Sequence, residues 1–467
     1  MEKKQMKNII IMKESISEYV KRNEQELFEL LFELLRIPSI SAKSEHHDDM
    51  WRCAETWKKF LLEAGADKAE VMNTAGNPVV YAEKLLDPSL PTIMIYGHYD
   101  VMPAEPLELW KTEPFSPQIS EGHLRGRGAD DDKGQSFMHY VAFRYLVETN
   151  QLKCNIKFIL EGEEEIGSPS LEEFCATHKE LLQCDNILVS DTSMLSADMP
   201  SITTGLRGLA YWQIEVSSAV RDLHSGIFGG AVANPINELC KLIARLQDQD
   251  GRITIPHFYD DVEEVSEEEK ELIRQIPFDE ETYKANLGIK ETYGETGYST
   301  IERTGIRPTF DVCGIWGGYT GEGAKTVLPA KAYAKLSTRL VPHQTYDKIA
   351  PMMVDYIKQI APSYVNVDIK PLHGAESYVC PIDLPAYKAA ETAYTRIFGK
   401  RPLPVRRGGS IGVIAIFEKV LGVKSILMGF GLESDAIHSP NENYPLDMFF
   451  KGIQTIVAFY EELNHQK

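Results

Sequence analysis

A chain of 467 residues with 43% apolar side chains exceeds one ordinary core and is far from a disordered composition, so two globular domains are expected. Its formal charge is −20, with 49 Lys and Arg against 69 Asp and Glu, which argues against the basic patches that nonspecific nucleic-acid or anionic-membrane binding needs. The seven cysteines are odd in number and scattered, without a Cys-x-x-Cys pair; they predict reduced, mostly buried thiols in a cytoplasmic protein. The apolar run at residues 8–12 is too short for a signal peptide's hydrophobic region, and no small-residue cleavage site follows it. No stretch is long enough to span a membrane.

In chain order, residues 15–35 predict a helix, with Leu27, Leu30, Leu31, Leu34 and Leu35 on one stripe and Pro38 beyond its end. A second helix is predicted over residues 50–64. Residues 91–96 form a short apolar run that reads as a buried strand. His98 and Asp100 follow it two residues apart, a spacing that puts both on one face of extended chain. An imidazole and a carboxylate at the carboxyl end of an α/β strand point to a metal site. Similar runs at 155–160, 186–190 and 425–430 lead into Glu163-Glu164-Glu165, into Asp191, and into Glu433, Asp435 and His438. A single acid is ordinarily just exposed. Four strand patterns that each deliver acids or a histidine are hard to assign to solvated surface.

Strands and helices alternate through Asp191, which predicts a mixed or parallel sheet with helices on both faces. The character changes near Arg207. A strand is predicted at 209–216, and a helix at 234–246 with Pro235 in its first turn. An acidic, helix-rich stretch at 260–303 comes next. Strands at 331–340 and 365–371 then flank a helix at 346–360. This reads as an α+β insertion, after which the α/β pattern resumes near residue 386. The expected fold class is α/β: a discontinuous catalytic domain formed by 1–206 and 384–467, with a mixed, mainly parallel sheet, and an inserted domain at 207–383.

Motifs along nearly the whole chain carry a family resemblance. They include His98-Tyr99-Asp100-Val101, Gly126-Arg127-Gly128, Asp131-Asp132-Lys133-Gly134, Glu164-Glu165-Ile166-Gly167-Ser168, Asp222-Leu223-His224-Ser225-Gly226, Arg339-Leu340-Val341-Pro342, Gly408-Gly409-Ser410 and Ala436-Ile437-His438-Ser439. In order and spacing the chain resembles the M20 metallopeptidases, and within them the branch of carnosinase and cytosolic nonspecific dipeptidase.

The resemblance implies two zinc ions per subunit. Asp131 would bridge them, His98 and Asp191 would complete one ion, and Glu165 and His438 the other. Carboxylate and imidazole donors without thiolate suit zinc, with manganese or cobalt as alternatives for the same set. Glu164 would be the general base, and Asp100 would orient His98 through the ring's other nitrogen. The neighbouring Asp130 and Glu163 are expected to be bystanders. The insertion would act as a lid and dimerisation domain, with His224 reaching the active site of a partner subunit to stabilise the oxyanion. Thr326 and Arg339 resemble groups that hold the substrate carboxylate, with Gly409 and Ser410 at the same end. A cis peptide is implied between Asp131 and Asp132.

One position departs from the branch. A glutamate that would meet the substrate's amino group directly precedes Gly-Gly-Ser in that pattern, and here the residue is Arg407. The implied activity is hydrolysis of a peptide bond in dipeptides or small peptides by a homodimer. A deacylase of N-acyl amino acids on the same scaffold is the alternative that Arg407 raises. A non-catalytic binding or assembly protein on this fold would lack a ligand or the base, and neither is missing.

Overall fold

The computed structural model describes residues 14–409 and 411–463. The apolar run at 8–12 and Ser410 lie outside the described residues. The chain divides into two compact units, one formed by Met1–Ile202, Ile382–Pro402 and Ile416–Lys467, the other by Thr203–Pro381 and Leu403–Ala415.

The first unit is built on a mixed sheet. Strand Thr92–His98 lies at its centre and pairs in parallel with Asn155–Glu161 on one side and Asn186–Val189 on the other. Ser425–Leu427 extends the parallel part beyond Asn186–Val189. On the opposite flank Val79–Lys84 and Lys68–Met72 add antiparallel strands. That antiparallel edge has no counterpart in the sequence reading. The central strands are buried on both faces, as expected of continuous apolar runs. Parallel pairing brings their carboxyl ends to one edge, with His98 opposite Glu161 in register.

Helix Ile16–Leu35 opens with a capping box: the Ser15 hydroxyl accepts from the Glu18 amide, and the Glu18 carboxylate accepts from the Ser15 amide. Its buried stripe includes Leu27, Phe28, Leu31, Leu34 and Leu35. At its other end the fully buried Lys133 donates Nζ to the Leu34 and Ile37 carbonyls at 3.0 and 2.7 Å. Both carbonyls also accept a backbone amide, from Ile37 and from Ser39 respectively, so the buried ammonium shares acceptors at the helix end. Helix Lys133–Glu148 is buried nearly all round, since it packs on the central strand, on Ile16–Leu35 and on Leu446–Leu463. It starts beside Gly134, where a Cβ would stand 1.8 Å from the Ala129 carbonyl oxygen, so only glycine fits. The Asp131–Asp132 peptide is cis.

The second unit holds an antiparallel sheet ordered Thr309–Gly317, Lys331–Leu340, Gly208–Ser217, Asn366–Ala375. Gly208–Ser217 alternates buried and half-buried residues, as a sheet with one covered face requires. Trp212, Ile214 and Val216 form its inner core with Ala334, Leu336 and the helices Pro235–Ala244 and Tyr346–Ile360. The acidic stretch resolves into three short helices, Glu267–Arg274, Glu280–Leu287 and Thr300–Gly305. All seven cysteines are free. Among the described residues no helix is long and apolar enough to cross a membrane.

Candidate metal centre

The sheet edge explains why residues far apart in sequence converge. Thr92–His98 ends in His98, Asn155–Glu161 leads into the single turn that carries Glu164 and Glu165, and Asn186–Val189 leads to Asp191. Asp131 precedes helix Lys133–Glu148, and His438 follows the Ser425–Leu427 strand.

Two groups of donor atoms result, His98 with Asp131 and Asp191, and Asp131 with Glu165 and His438; within each, all donor atoms lie within 4.8 Å of one another. Asp131 belongs to both. Its Oδ1 is 3.0 Å from His98 Nε2, and its Oδ2 is 2.8 Å from His438 Nε2. His98 Nε2 stands 3.9 Å from Asp191 Oδ2, and His438 Nε2 stands 3.1 Å from Glu165 Oε2. Glu164 belongs to neither group.

The ring of His98 is fully buried. Its Nδ1 faces the Asp100 carbonyl at 3.0 Å and the Asp100 carboxylate at 3.3 Å. Both are acceptors, so the ring proton is held at Nδ1 and Nε2 is left for a ligand. The Asp100 carboxylate also accepts the backbone amides of Glu164 (3.3 Å) and Glu165 (3.1 Å). One buried acid therefore orients the histidine and fixes the turn that carries both glutamates. The second oxygen of Glu165 accepts the Met102 amide at 3.1 Å.

Electrostatics show how crowded these acids are. Burial raises the Asp191 carboxyl to about 7, and the Asp131 carboxylate adds to this. Burial likewise raises Glu164 well above its ordinary value; His98 opposes this, while Asp191 and Asp131 reinforce it. Hydrogen bonds to Asp131 and Glu165 lift the His438 imidazole to about 10. Burial works against ionisation of Asp131, but bonds from His438 and His98 hold it below the usual carboxylate range. Two imidazoles cannot balance four carboxylates, and divalent cations do so directly. The donor set fits them: it is all nitrogen and oxygen, and donors about 2.0–2.2 Å from a common zinc ion span distances of this size.

Asp130 and Glu163, expected as bystanders, are both buried. The Glu163 carboxylate accepts the amides of Asn77 and Ser170 at 2.9 and 3.1 Å and so anchors the same turn. Asp132 accepts the His98 amide at 3.1 Å and the Ser136 hydroxyl at 2.6 Å. Glu442 was not singled out from sequence, although it accepts hydrogen bonds from the Asp131 turn 311 residues away. No local signal marks such a residue, because its partners are brought to it only by the fold.

The remaining expected residues lie in the second unit. His224 is exposed on the short strand Leu223–His224, opposite Val327, with Thr326 next to it on the paired segment. The Gly226 amide donates to His224 Nδ1 at 3.0 Å, which leaves the ring proton on Nε2. Arg339 is half-buried on Lys331–Leu340, opposite Leu209 and Thr309. Arg407 ends strand Leu403–Arg407 and donates Nε to the Thr203 hydroxyl at 3.3 Å, while Arg406 pairs with Glu269. Gly409 is exposed in the turn that follows. Arg207 donates to the carbonyls of Gly408, Arg303 and Arg307 and so braces that turn.

The chain is similar to known proteins over most of its length. Residues 94–462 match the model of peptidase family M20/M25/M40. The chain is 30% identical over 470 residues to human Beta-Ala-His dipeptidase, covering 96% of this chain and 92% of that protein. It is 30% identical over 466 residues to Cys-Gly metallodipeptidase dug1 of Schizosaccharomyces pombe, covering 96% and 98%. Among solved structures, the M20 family metallo-carboxypeptidase Sso-CP2 from Sulfolobus solfataricus superposes with a TM-score of 0.83 at 33% identity, covering 94% of this chain and 99% of that one. With the family match spanning most of the chain and an acid-rich donor cluster at the sheet edge, the chain belongs to peptidase family M20/M25/M40 and is a peptide-bond hydrolase.

Proposed function

We propose that this protein is a cytoplasmic, homodimeric dipeptidase that uses two zinc ions per subunit. The observation that carries the reading is the position of Asp131, whose two oxygens face His98 and His438 in two adjoining donor groups, with Glu164 outside both. The human and fission-yeast relatives are named for dipeptides, which supports a small substrate. When bound, the two ions supply Lewis-acid polarisation of the scissile carbonyl and acidify the attacking water.

The chain's own residues do the rest. Glu164 takes a proton from water as its oxygen bonds to the carbonyl carbon, then passes that proton to the leaving nitrogen as the C–N bond breaks. Asp100 holds His98 and the Glu164–Glu165 backbone in place. Arg339 and Thr326, with Gly409 and Ser410, take the substrate carboxylate, and the guanidinium fork suits that task. The second unit acts as the lid and dimerisation domain. His224 donates its Nε2 proton to the developing oxyanion across the subunit boundary, and the Gly226 contact on Nδ1 supports this tautomer. If so, neither His224→Ala nor Glu164→Gln subunits are active alone, but a mixture recovers part of the activity, since one site of each mixed dimer keeps both groups. Absence of recovery despite verified subunit exchange would place His224 outside the partner's site.

Arg407 favours a second reading, deacylation of N-acyl amino acids, because a cation at the amino side of the substrate repels an ammonium. Arg407→Glu is expected to raise kcat/KM for free dipeptides and lower it for their N-acyl counterparts. The change is about 1–3 kcal/mol, limited by screening at a half-buried site. Matched free and acylated substrates, with longer peptides as a third set, separate the two readings. Unchanged selectivity would remove Arg407 from the substrate's path and leave simple dipeptidase action.

A further inference from the structure

We infer that Glu442 is a positioning residue that sets where the Asp131 carboxylate stands relative to His438. The inference rests on the two-ion reading above. Glu442 is fully buried. Its Oε1 accepts the amides of Asp130 and Asp131 at 3.0 and 3.2 Å. Its Oε2 accepts the Gly128 amide at 3.0 Å and Arg127 Nη1 at 2.7 Å. Three backbone amides of one turn thus converge on a single carboxylate, and its own carbonyl accepts a fourth, from Gly126, at 3.1 Å.

The other end of the device is His438. It stands four residues before Glu442, in a segment where His438 and Asn441 both have left-handed backbone, with φ of 58° and 69°. The Asn441 side chain accepts the Lys111 amide at 2.7 Å and donates to the Leu109 carbonyl at 2.9 Å, which holds that segment in place. Immediately beyond, Asn443–Pro445 pairs antiparallel with His123–Arg125, with Asn443 opposite Arg125. This ladder delivers residues 126–131 and 438–442 to each other, and Glu442 closes the gap between them. The two residues whose side chains approach to 2.8 Å, Asp131 and His438, therefore stand on turns joined by one side chain.

Stability alone does not explain such a choice. Both partners of the Glu442–Arg127 pair are about 1% exposed or less, and a buried ion pair is often replaceable by packed apolar groups. What apolar groups cannot supply is an acceptor for three amides pointing the same way. Charge-assisted bonds of this kind specify geometry closely. Arg127 completes the arrangement by donating Nη2 to the Pro103 carbonyl at 3.2 Å and lying 5.4 Å from the centre of the Trp110 ring.

The test is Glu442→Gln, which keeps the shape but turns one acceptor into a donor facing other donors. Zinc affinity is measured by competition with a chromophoric chelator. It is accompanied by the absorption spectrum of the cobalt-loaded protein and the melting temperature of the metal-free form. We expect zinc affinity to fall about 10–100-fold, the range seen when partners of metal ligands are removed, with an altered cobalt spectrum. A lower melting temperature with wild-type zinc affinity and an unchanged cobalt spectrum would reduce Glu442 to a structural role and overturn the inference. If Glu442→Gln does not fold, Glu442→Asp keeps the charge but withdraws it by one carbon; the same direction is expected, and wild-type affinity there equally overturns the proposal. A wild-type protein that binds no zinc would overturn the two-ion reading itself, an outcome distinct from equal affinity in wild type and variant.

Discussion

Glu164→Gln is expected to keep both metal ions and to lose peptide hydrolysis by about 10²–10⁴-fold, the usual contribution of a positioned general base. The separation of the two effects follows from geometry. Glu164 belongs to neither donor group, whereas its neighbour Glu165 stands 3.1 Å from His438 and within one of them. Both are held by one clamp, since their amides donate to the same Asp100 carboxylate. The amide of glutamine fills the same space and leaves that clamp untouched, but it can neither accept a proton from water nor deliver one to the leaving nitrogen. Steady-state assays with a dipeptide, run beside metal analysis of the same preparation, check both halves. Near-normal turnover at full metal content would show that the proton moves by another route. Low turnover with depleted metal would instead make Glu164 a ligand.

Asp131→Ala should act on the metal itself. Because Asp131 is the one residue shared by the two donor groups, its loss is expected to deplete both ions, and with them all measurable hydrolysis. Asp191→Ala, which removes a donor from a single group, should lower metal content to a smaller extent. Stripping the wild-type protein with a chelator should also abolish activity, and restoring zinc should bring it back. Stability should follow by linkage: a ligand present at 100 times its dissociation constant stabilises the folded state by about 2.7 kcal/mol. Thermal melts with and without zinc, for wild type and Asp131→Ala, make the comparison. A zinc-dependent upward shift in wild type and none in the variant is the expected result. An equal shift in both would mean that zinc binds elsewhere on the chain.

The elements were legible where the physical signal is local. The leucine stripe of Ile16–Leu35, the apolar runs that became Thr92–His98, Asn155–Glu161 and Asn186–Val189, and the alternation of Gly208–Ser217 are periodicities of 3.6 or 2 residues, which burial imposes along a single segment. Acids and histidines beside the apolar runs were visible in the sequence, but the choice of His98, Asp131, Glu164, Glu165, Asp191 and His438 as one set came from the family resemblance carried by motif order and spacing. The antiparallel edge of Lys68–Met72 and Val79–Lys84 was not seen, since short strands of mixed polarity carry a weak periodic signal.

Partnership was beyond the sequence. Asp130 and Glu163 look like any acids in an acidic run, yet the fold buries both and gives Glu163 two backbone amides to accept. The family resemblance assigned Asp100 to His98, but its grip on the Glu164–Glu165 turn depends on two strands lying side by side in parallel. Glu442 meets Arg127 across 315 residues of chain. Side-chain type and local periodicity are properties of a segment and can be read from it. Which buried donor meets which acceptor depends on strand order and register, and these are settled only when all segments compete for the same core.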